Sequence, residues 1–189
     1  MGQWREKDEG KGRRAVKLIT QIALIAVTAL FCVNYLGYQV KMEGRSMEPT
    51  VLQDSTLLVN RAAFAPSRFD IIVFEGKDGS VQDGESEAHR GRLYTKYVVG
   101  LPGETVQIKE GSVWINGQEL NADAHWGTVS LAGLAEDPIV LADDEFFVMG
   151  ANTGSSEDSR FSTVGNVKRQ QIIGTAWFFF HSVTDMGFL

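Results

Sequence analysis

Residues 93–120 read LYTKYVVGLPGETVQIKEGSVWINGQEL, and this stretch carries the clearest fold signal in the chain. It consists of short runs rich in β-branched and aromatic residues, and glycine and proline separate the runs. The pair Asn116-Gly117, between SVWI and QEL, is typical of a tight hairpin turn. The stretch therefore predicts short antiparallel strands joined by tight turns.

The same pattern continues on both sides of this stretch. Further strand-like runs are STLLVN at 55–60, DIIVFE at 70–75, EFFVMG at 145–150 and IIGTAWFFF at 172–180. We expect the last two to be fully buried strands, because they are almost continuously apolar. Helical periodicity is weak after residue 36, so we predict a mainly β, antiparallel domain over residues 37–189. A small β insertion is expected at roughly 105–144.

Two segments of this domain lack a clear strand pattern. Residues 75–92 (EGKDGSVQDGESEAHRGR) are polar and rich in glycine and charge, which predicts a solvated loop between two strands. Residues 121–144 are mixed in composition, and they predict either a loop or part of the insertion. Trp126, within that segment, fits a core position as well as a position that touches a membrane.

The N-terminal region predicts a membrane anchor. Residues 18–36 (LITQIALIAVTALFCVNYL) contain no charged residue, and about 20 apolar residues are enough for a helix to cross a bilayer. A buried core helix is the alternative. No small-residue cleavage site follows this segment, which argues against a removable signal peptide. Basic residues crowd segment 1–17, so the positive-inside rule predicts a cytoplasmic tail and an extracytoplasmic domain over 37–189.

The charge distribution excludes one class of partner. Six of the 18 basic and three of the 24 acidic residues lie in segment 1–17, which leaves 12 basic and 21 acidic residues in the rest of the chain. A body with that excess of negative charge repels polyanions, so we expect no nucleic-acid partner.

Cysteine and histidine give no sign of a metal or cofactor. The single cysteine, Cys32, lies in the predicted membrane segment, so it forms no internal disulfide and is not a reactive thiol. His89, His125 and His181 stand far apart and show no metal-ligand spacing, and a Ser-His-Asp triad has no local signature. We therefore expect neither a metal site nor a cofactor.

A serine and a lysine are the strongest candidates for chemistry. Ser46 lies in the sequence GRSMEPT (44–50), between a flexible glycine and a stiffening proline, just after the predicted membrane segment. A serine hydroxyl needs a base, and Lys96 lies in the otherwise apolar run LYTKYVVG. Burial would lower the pKa of its ammonium group, and a neutral lysine can accept the serine proton. From residue types alone, however, many serine and lysine pairs are possible.

Four stretches, in order along the chain, resemble the motifs of bacterial type I signal peptidases, a family of Ser-Lys serine proteases. They are SMEPT at 46–50, FDIIVF at 69–74, KYVVGLPGE at 96–104, and the pair GAN at 150–152 with SEDSR at 156–160. Together with the predicted anchor, the resemblance covers most of the chain. It implies the catalytic β domain of that family for residues 37–189.

The resemblance also implies site residues. Ser46 maps to the nucleophile, Lys96 to the general base, and Ser156 to a hydroxyl that orients the lysine amine. Asp158 and Arg160 map to structural positions. The Ser46 N–H would be one oxyanion donor.

Substrate contacts follow from the same resemblance. Gly44 stands where some family members carry a hydroxyl that adds a second oxyanion donor. The positions that would line pockets for small substrate side chains are Met42, Met47, Val51 and Thr95.

The chain departs from the family pattern at three positions. Tyr97 stands where arginine is common, Ala151 where aspartate is common, and Thr153 where another arginine is usual. We interpret the family's arginine and aspartate as a charge pair, so their joint replacement leaves no unpaired charge. We interpret the change as a coupled neutral swap.

The implied function is that of a membrane-bound endopeptidase that cleaves signal peptides after small residues. Its partners would be signal-peptide-bearing preproteins and membrane lipid. The altered last motif suggests a second hypothesis, a non-catalytic, membrane-anchored assembly factor for surface fibres, although such a factor has no need of Ser46 and Lys96. A soluble Ser-Lys self-cleaving regulator does not fit the predicted anchor. The apolar run 177–180 fits a buried terminal strand or, less well, a membrane-touching patch.

Overall fold

A computed structural model of the protein describes residues 3–31, 37–62, 65–76, 92–121 and 125–189. These residues form one α-helix, α1 (Gln3–Phe31), and the strands β1 (Tyr38–Lys41), β2 (Thr56–Asn60), β3 (Ile71–Glu75), β4 (Leu93–Gly100), β5 (Thr105–Lys109), β6 (Ser112–Ile115), β7 (Gln118–Glu119), β8 (Ile139–Val140), β9 (Glu145–Met149), β10 (Val167–Lys168), β11 (Ile172–Ser182) and β12 (Asp185–Phe188). Short 3-10 turns lie at Gly133–Glu136, Thr153–Ser155 and Arg169–Gln171.

Within the described ranges, the main sheet has eight strands in the order β1-β2-β11-β3-β4-β9-β10, and β12 pairs with β11. Every pairing in this sheet is antiparallel. The predicted mainly β, antiparallel fold class is therefore confirmed.

Strands β3, β4 and β9 form the centre of the sheet, and both of their faces are covered. Successive side chains of a strand point to opposite faces, so neighbours such as Ile72 and Val73 belong to two separate core clusters. One cluster includes Val73, Val99 and Met149, and the other includes Ile72 and Val148. Burial on both faces explains why these strands are almost continuously apolar.

A second, four-stranded sheet is built from residues 105–140 in the order β7-β6-β5-β8. Asn116 and Gly117 have positive φ values of 52° and 78°, and they connect β6 to β7 in the tight turn that their sequence indicates. Trp126 is 6% exposed and belongs to the core cluster of Val73. The sequence allowed a core position or a membrane-touching position for Trp126, and Trp126 occupies the core position. The domain bounds and the insertion at roughly 105–144 stay a prediction.

The expectation of full burial was right for one apolar run and wrong for another. In β9 every residue after Glu145 is buried. In β11, by contrast, Trp177 to Phe179 are only partly buried and Phe180 is 43% exposed. This difference in burial follows from the place of each strand in the sheet. The end of β11 lies between β2 and β12, and Phe188 of β12 is itself 79% exposed.

The predicted transmembrane helix at 18–36 is not confirmed. Helix α1 contains residues 18–31, whereas residues 32–36, including Cys32, lie outside the described part of the chain. Among the described residues, no helix combines the length and the apolar character that crossing a membrane requires. Most of the predicted loop 75–92, with His89, also lies outside the described ranges.

Candidate functional site

Ser46 lies in a turn that follows the edge strand β1. The turn is closed by backbone hydrogen bonds from Glu48 N–H to Arg45 O (3.2 Å) and from Val51 N–H to Met47 O (2.9 Å). Gly44 has φ 77°, a left-handed conformation that favours glycine. The turn leaves Ser46 partly exposed at the surface of the sheet.

Lys96 lies in the middle of β4, opposite Ile72 of β3, and is only 3% exposed. Its Nζ donates a hydrogen bond to Ser46 Oγ over 2.7 Å. The structure thus brings the predicted nucleophile and the predicted base into direct contact.

The environment of Lys96 lowers the pKa of its amine. Burial is the main effect, and it lowers the pKa of Lys96 from 10.5 to about 8. The carboxylates of Asp158 and Glu157 oppose the change by raising this pKa, while Arg92 and Arg160 add to the lowering. Near pH 8 a substantial fraction of Lys96 is therefore unprotonated, as a proton acceptor has to be.

Ser156, Asp158 and Arg160 form a buried polar cluster beside the pair. Ser156 Oγ donates to Asp158 Oδ2 at 2.7 Å, and the Arg160 guanidinium holds Asp158 at 2.8 and 2.9 Å. Within the described hydrogen bonds, Ser156 does not reach Lys96. The Asp158 carboxylate is an ionised acceptor, and hydrogen bonds to ionised acceptors are short and strong.

Arg160 also ties separate segments together. Its two terminal nitrogens donate to the carbonyl oxygens of Leu131 (3.1 Å) and Thr153 (2.8 Å). A guanidinium that is 1% exposed needs all of these acceptors, because an unpaired buried charge is strongly destabilising. Asp158 and Arg160 are thus buried and held by several contacts, and the structural role that the resemblance implies for them stays a prediction.

Backbone groups of the segment after β9 support the serine turn, and the sequence analysis assigned them no role. Asn152 N–H donates to Ser46 O at 3.0 Å, and Gly150 N–H donates to Asp158 Oδ2 at 3.1 Å. A side chain at Gly150 would overlap Ser46 O and the Ser156 hydroxyl. Because these contacts involve main-chain atoms, side-chain types could not have revealed them.

A groove of about 140 Å³ opens beside the Ser46 hydroxyl. Of the four predicted pocket residues, Met42 and Thr95 line it. Met47 and Val51 are fully buried in the core and are not among the described lining residues. Nine further lining residues were not predicted from the sequence: Val40, Lys41, Glu43, Arg45, Arg92, Leu93, Tyr94, Ser155 and Glu157. Tyr94 could have been predicted, because it lies two residues before Lys96 in β4, and residues two apart in a strand point to the same face.

No acceptor is described for the Ser46 N–H, and Ser46 is one of the residues that line the groove. Its role as the first oxyanion donor, which the resemblance implies, stays a prediction. At Gly44, the proposed second-donor position, there is no side chain to supply a hydroxyl.

The three departures from the family pattern lie close together. Tyr97 pairs with Met149 across the β4–β9 ladder, and Ala151, two residues further on, is 7% exposed in the core. Tyr97 Oη donates to Thr50 Oγ1 at 3.1 Å, and Thr153 offers only its carbonyl to Arg160.

The two described histidines, His125 and His181, make no described contact with Ser46 or Lys96. His125 stacks on Phe69, with 4.1 Å between the ring centroids, and His181 Nδ1 lies 3.3 Å from Ser55 Oγ. Among the described residues, no group of His, Cys, Asp and Glu side chains could hold a metal ion.

The sequence of the chain is similar to those of signal peptidases. The sequence model of a family described as signal peptidase, peptidase S26, matches residues 14–181. A signal peptidase I from Leptolyngbya laminosa is 35% identical over 89% of this chain and 81% of its own length. A signal peptidase I from Bacillus amyloliquefaciens is 33% identical over 96% of both chains. The crystal structure of a signal peptidase I from Enterococcus faecalis V583 is 26% identical, covers 58% of this chain and 95% of its own, and has a TM-score of 0.42.

Proposed function

The chain belongs to the peptidase S26 family of signal peptidases, and from this premise we propose that it is a membrane-bound serine endopeptidase that cleaves signal peptides from secreted preproteins after small residues. Ser46 is the proposed nucleophile and Lys96 the proposed general base. The observation that carries the proposal is the 2.7 Å hydrogen bond between Lys96 Nζ and Ser46 Oγ, made by a lysine that is 3% exposed.

In the proposed mechanism, neutral Lys96 takes the Ser46 hydroxyl proton while Ser46 Oγ attacks the scissile carbonyl carbon. The oxygen of the resulting tetrahedral intermediate carries negative charge, and the Ser46 N–H donates to it. The intermediate collapses when the carbon–nitrogen bond breaks, and protonated Lys96 gives its proton to the leaving amine. Lys96 then takes a proton from a water molecule, whose oxygen attacks the acyl carbon. The bond between this carbon and Ser46 Oγ breaks, Lys96 returns the proton to Ser46 Oγ, and the signal peptide is released with a new carboxyl terminus.

Ser156 is proposed to orient the lysine amine, with Asp158 as the intermediary. Support comes from the 2.7 Å bond between Ser156 Oγ and Asp158 Oδ2, together with the electrostatic effect of Asp158 on Lys96. Asp158 and Arg160 keep this cluster in place.

The preference for small residues is proposed from the resemblance to signal peptidases, whose sites accept small side chains before the scissile bond. The groove of about 140 Å³ beside Ser46 is the proposed place for these side chains. Met42 and Thr95 form part of its wall, while Met47 and Val51 support the serine turn from the core.

Membrane attachment is proposed from the exposed apolar surface of α1. Nine large apolar side chains between Val16 and Phe31 are 51% to 68% exposed, and an exposed apolar surface of this kind needs lipid or a partner. We propose that residues 18–36 anchor the chain with segment 1–17 in the cytoplasm and 37–189 outside. Membrane lipid is therefore a proposed partner, and Phe180 and Phe188 add exposed apolar surface on the catalytic domain.

A non-catalytic assembly factor is not favoured. Such a factor would bind chains without cleaving them, and it has no use for a buried lysine in contact with a partly exposed serine.

The proposal is tested by incubating the purified full chain, in detergent, with a membrane-inserted preprotein and identifying the products by mass spectrometry. Cleavage after a small residue at the end of the signal peptide is the expected result. An intact preprotein, under conditions where a relative such as the Leptolyngbya laminosa signal peptidase I cleaves it, would contradict the proposal.

Topology needs a separate experiment. Protease added outside intact spheroplasts should cut the chain in the predicted loop 75–92. Protection of that loop together with digestion of segment 1–17 would reverse the proposed orientation.

A further inference from the structure

Tyr97 connects the strand that carries Lys96 to the turn that carries Ser46. It directly follows Lys96 in β4, so its side chain points to the opposite face of the sheet. There its Oη donates to Thr50 Oγ1 at 3.1 Å, and Thr50 lies four residues after Ser46. The bond therefore joins neighbours of both members of the pair.

The tyrosine ring is held in place by an aromatic cluster, which consists of Phe69, Tyr97, His125 and Trp126. His125 meets the Tyr97 ring edge-on at 4.9 Å between centroids, and Trp126 lies at 6.1 Å. Phe69 stacks on the other side of His125 with an angle of 16° between the rings. Tyr97 is 5% exposed, so its ring has little freedom to rotate away from Thr50.

Phe69 has an unusual backbone conformation that serves this cluster. Its φ of 70° is rare for a bulky residue, and such strain persists only where surrounding contacts enforce it. A 2.8 Å hydrogen bond from Phe69 N–H to Val98 O fastens it to β4. The Phe69 ring is therefore fixed relative to the strand that carries Tyr97.

The serine turn is thereby fastened at two points. Near its start, Asn152 N–H donates to Ser46 O at 3.0 Å. Near its end, Tyr97 Oη donates to Thr50 at 3.1 Å. Only the second of these two bonds links the turn to β4, the strand of Lys96.

We propose that Tyr97 is a positioning residue whose hydroxyl, oriented by the aromatic cluster, fixes the serine turn relative to Lys96 and so maintains the Ser46–Lys96 contact. Burial raises the pKa of Tyr97, so its hydroxyl keeps the proton that it donates to Thr50. The expected change in kcat rests on the proposed function. The expected loosening of the serine turn does not.

The test compares the full chain in detergent with Tyr97→Phe, Thr50→Val and the double variant. Tyr97→Phe removes the donor and keeps the ring, whereas Thr50→Val removes the acceptor and leaves the aromatic cluster untouched. Each single variant should lower kcat about tenfold, because small displacements of reacting groups are costly, while KM changes less than about twofold. The double variant should match the single variants, since all three lack the same bond.

Tyr38→Phe is the matched control, because Tyr38 lies on β1 and its ring contacts Arg61, on a different part of the surface. It should leave kcat unchanged. Additive losses from Tyr97→Phe and Thr50→Val, or an unchanged kcat in either one with normal melting temperature, would overturn the proposal.

Hydrogen exchange separates this inference from the proposed function, because it needs no substrate. The Val51 amide, which closes the serine turn, should exchange at least severalfold faster in Tyr97→Phe and Thr50→Val than in the wild type and in Tyr38→Phe. Unchanged protection of this amide would overturn the positioning role even if the wild type cleaves preproteins. Failure of the wild type to cleave would instead count against the proposed function alone.

Discussion

Lys96 Nζ and Ser46 Oγ lie 2.7 Å apart although 50 residues separate them in sequence. Lys96 comes from the third strand from one end of the main sheet, and Ser46 from a turn beyond the strand at the other end. The turn reaches the lysine because Asn152 and Thr50 fasten it to the centre of the sheet. The contact is thus a product of the tertiary fold.

Cleavage should depend on pH through Lys96. Only the neutral amine accepts the Ser46 proton, and the pKa of Lys96 is lowered to about 8. We expect kcat/KM to rise about tenfold for each pH unit below 8 and to level off above it. A pH profile on a peptide substrate measures this, and an activity that is flat between pH 6 and pH 9 would contradict it.

Glu157→Gln should move this profile. Glu157 lines the groove and raises the pKa of Lys96, so removing its charge should shift the midpoint to lower pH. Arg92→Gln should shift it to higher pH, because Arg92 acts in the opposite direction. The two variants serve as controls for each other. Shifts in the same direction would show that the profile does not report on Lys96.

Lys96→Met should stabilise the fold at neutral pH while it abolishes cleavage. The pKa of Lys96 falls from 10.5 in the unfolded chain to about 8 in the fold, which corresponds to a cost of about 3 kcal/mol. Because the folded pKa is depressed, the cost is fully present below pH 8 and disappears as pH rises towards 10.5. The lost contact with Ser46 offsets part of the gain, so we expect an increase of about 1–3 kcal/mol in the free energy of unfolding at pH 6.5.

Urea unfolding of the full chain in detergent, at pH 6.5 and pH 9.5, measures this difference. Lys168→Met is the control, because Lys168 is exposed and should show no such pH-dependent gain. A Lys96→Met variant that is less stable than the wild type at pH 6.5 would contradict the expected cost of burying the ammonium group.

Gly150→Ala should abolish most activity. A methyl group at this position would overlap the Ser46 carbonyl oxygen and the Ser156 hydroxyl, so the serine turn has to move away. We expect a loss of at least about a hundredfold in kcat. Gly154→Ala is the matched control, since its nearest neighbour would be Asn152 Oδ1 at 4.0 Å. Equal activities in the two variants would show that the turn tolerates the displacement.

Ser156→Ala should be much milder than a change at Ser46 or Lys96. It removes one hydrogen bond to Asp158, while the reacting groups stay in place. A loss of about tenfold in kcat with a nearly unchanged KM is expected from steady-state kinetics. A complete loss in a folded variant would mean that Ser156 acts on the substrate or on Lys96 directly.

The sequence predicted the fold class because its signals are local. The Asn116-Gly117 turn and the apolar strands β3 and β9 follow from turn chemistry and burial over a few residues. The partial exposure of Phe178 to Phe180 did not follow, because it depends on which strands flank the end of β11. Sheet order is a long-range property that a local apolar pattern does not encode.

Some features of the candidate site could likewise be predicted from the sequence, and others could not. Ser46 and Lys96 could be paired because their motifs resemble those of a known family, and the structure places their side chains in contact. The bond from Asn152 N–H to Ser46 O could not be predicted, since backbone donors are identical at every position. The Tyr97–Thr50 bond could not be predicted from the resemblance, because tyrosine replaces the arginine that the family pattern commonly has there.

The most direct test of the account measures cleavage of a membrane-inserted preprotein by the full chain carrying Ser46→Ala, Lys96→Ala or both. Nucleophile and base act as one unit, so each single variant should lose cleavage by at least about a thousandfold, and the double variant should lose no more. Lys96→Arg should fail equally, because a guanidinium stays protonated. Near-normal cleavage by folded Lys96→Ala would contradict the assignment of Lys96 as the base.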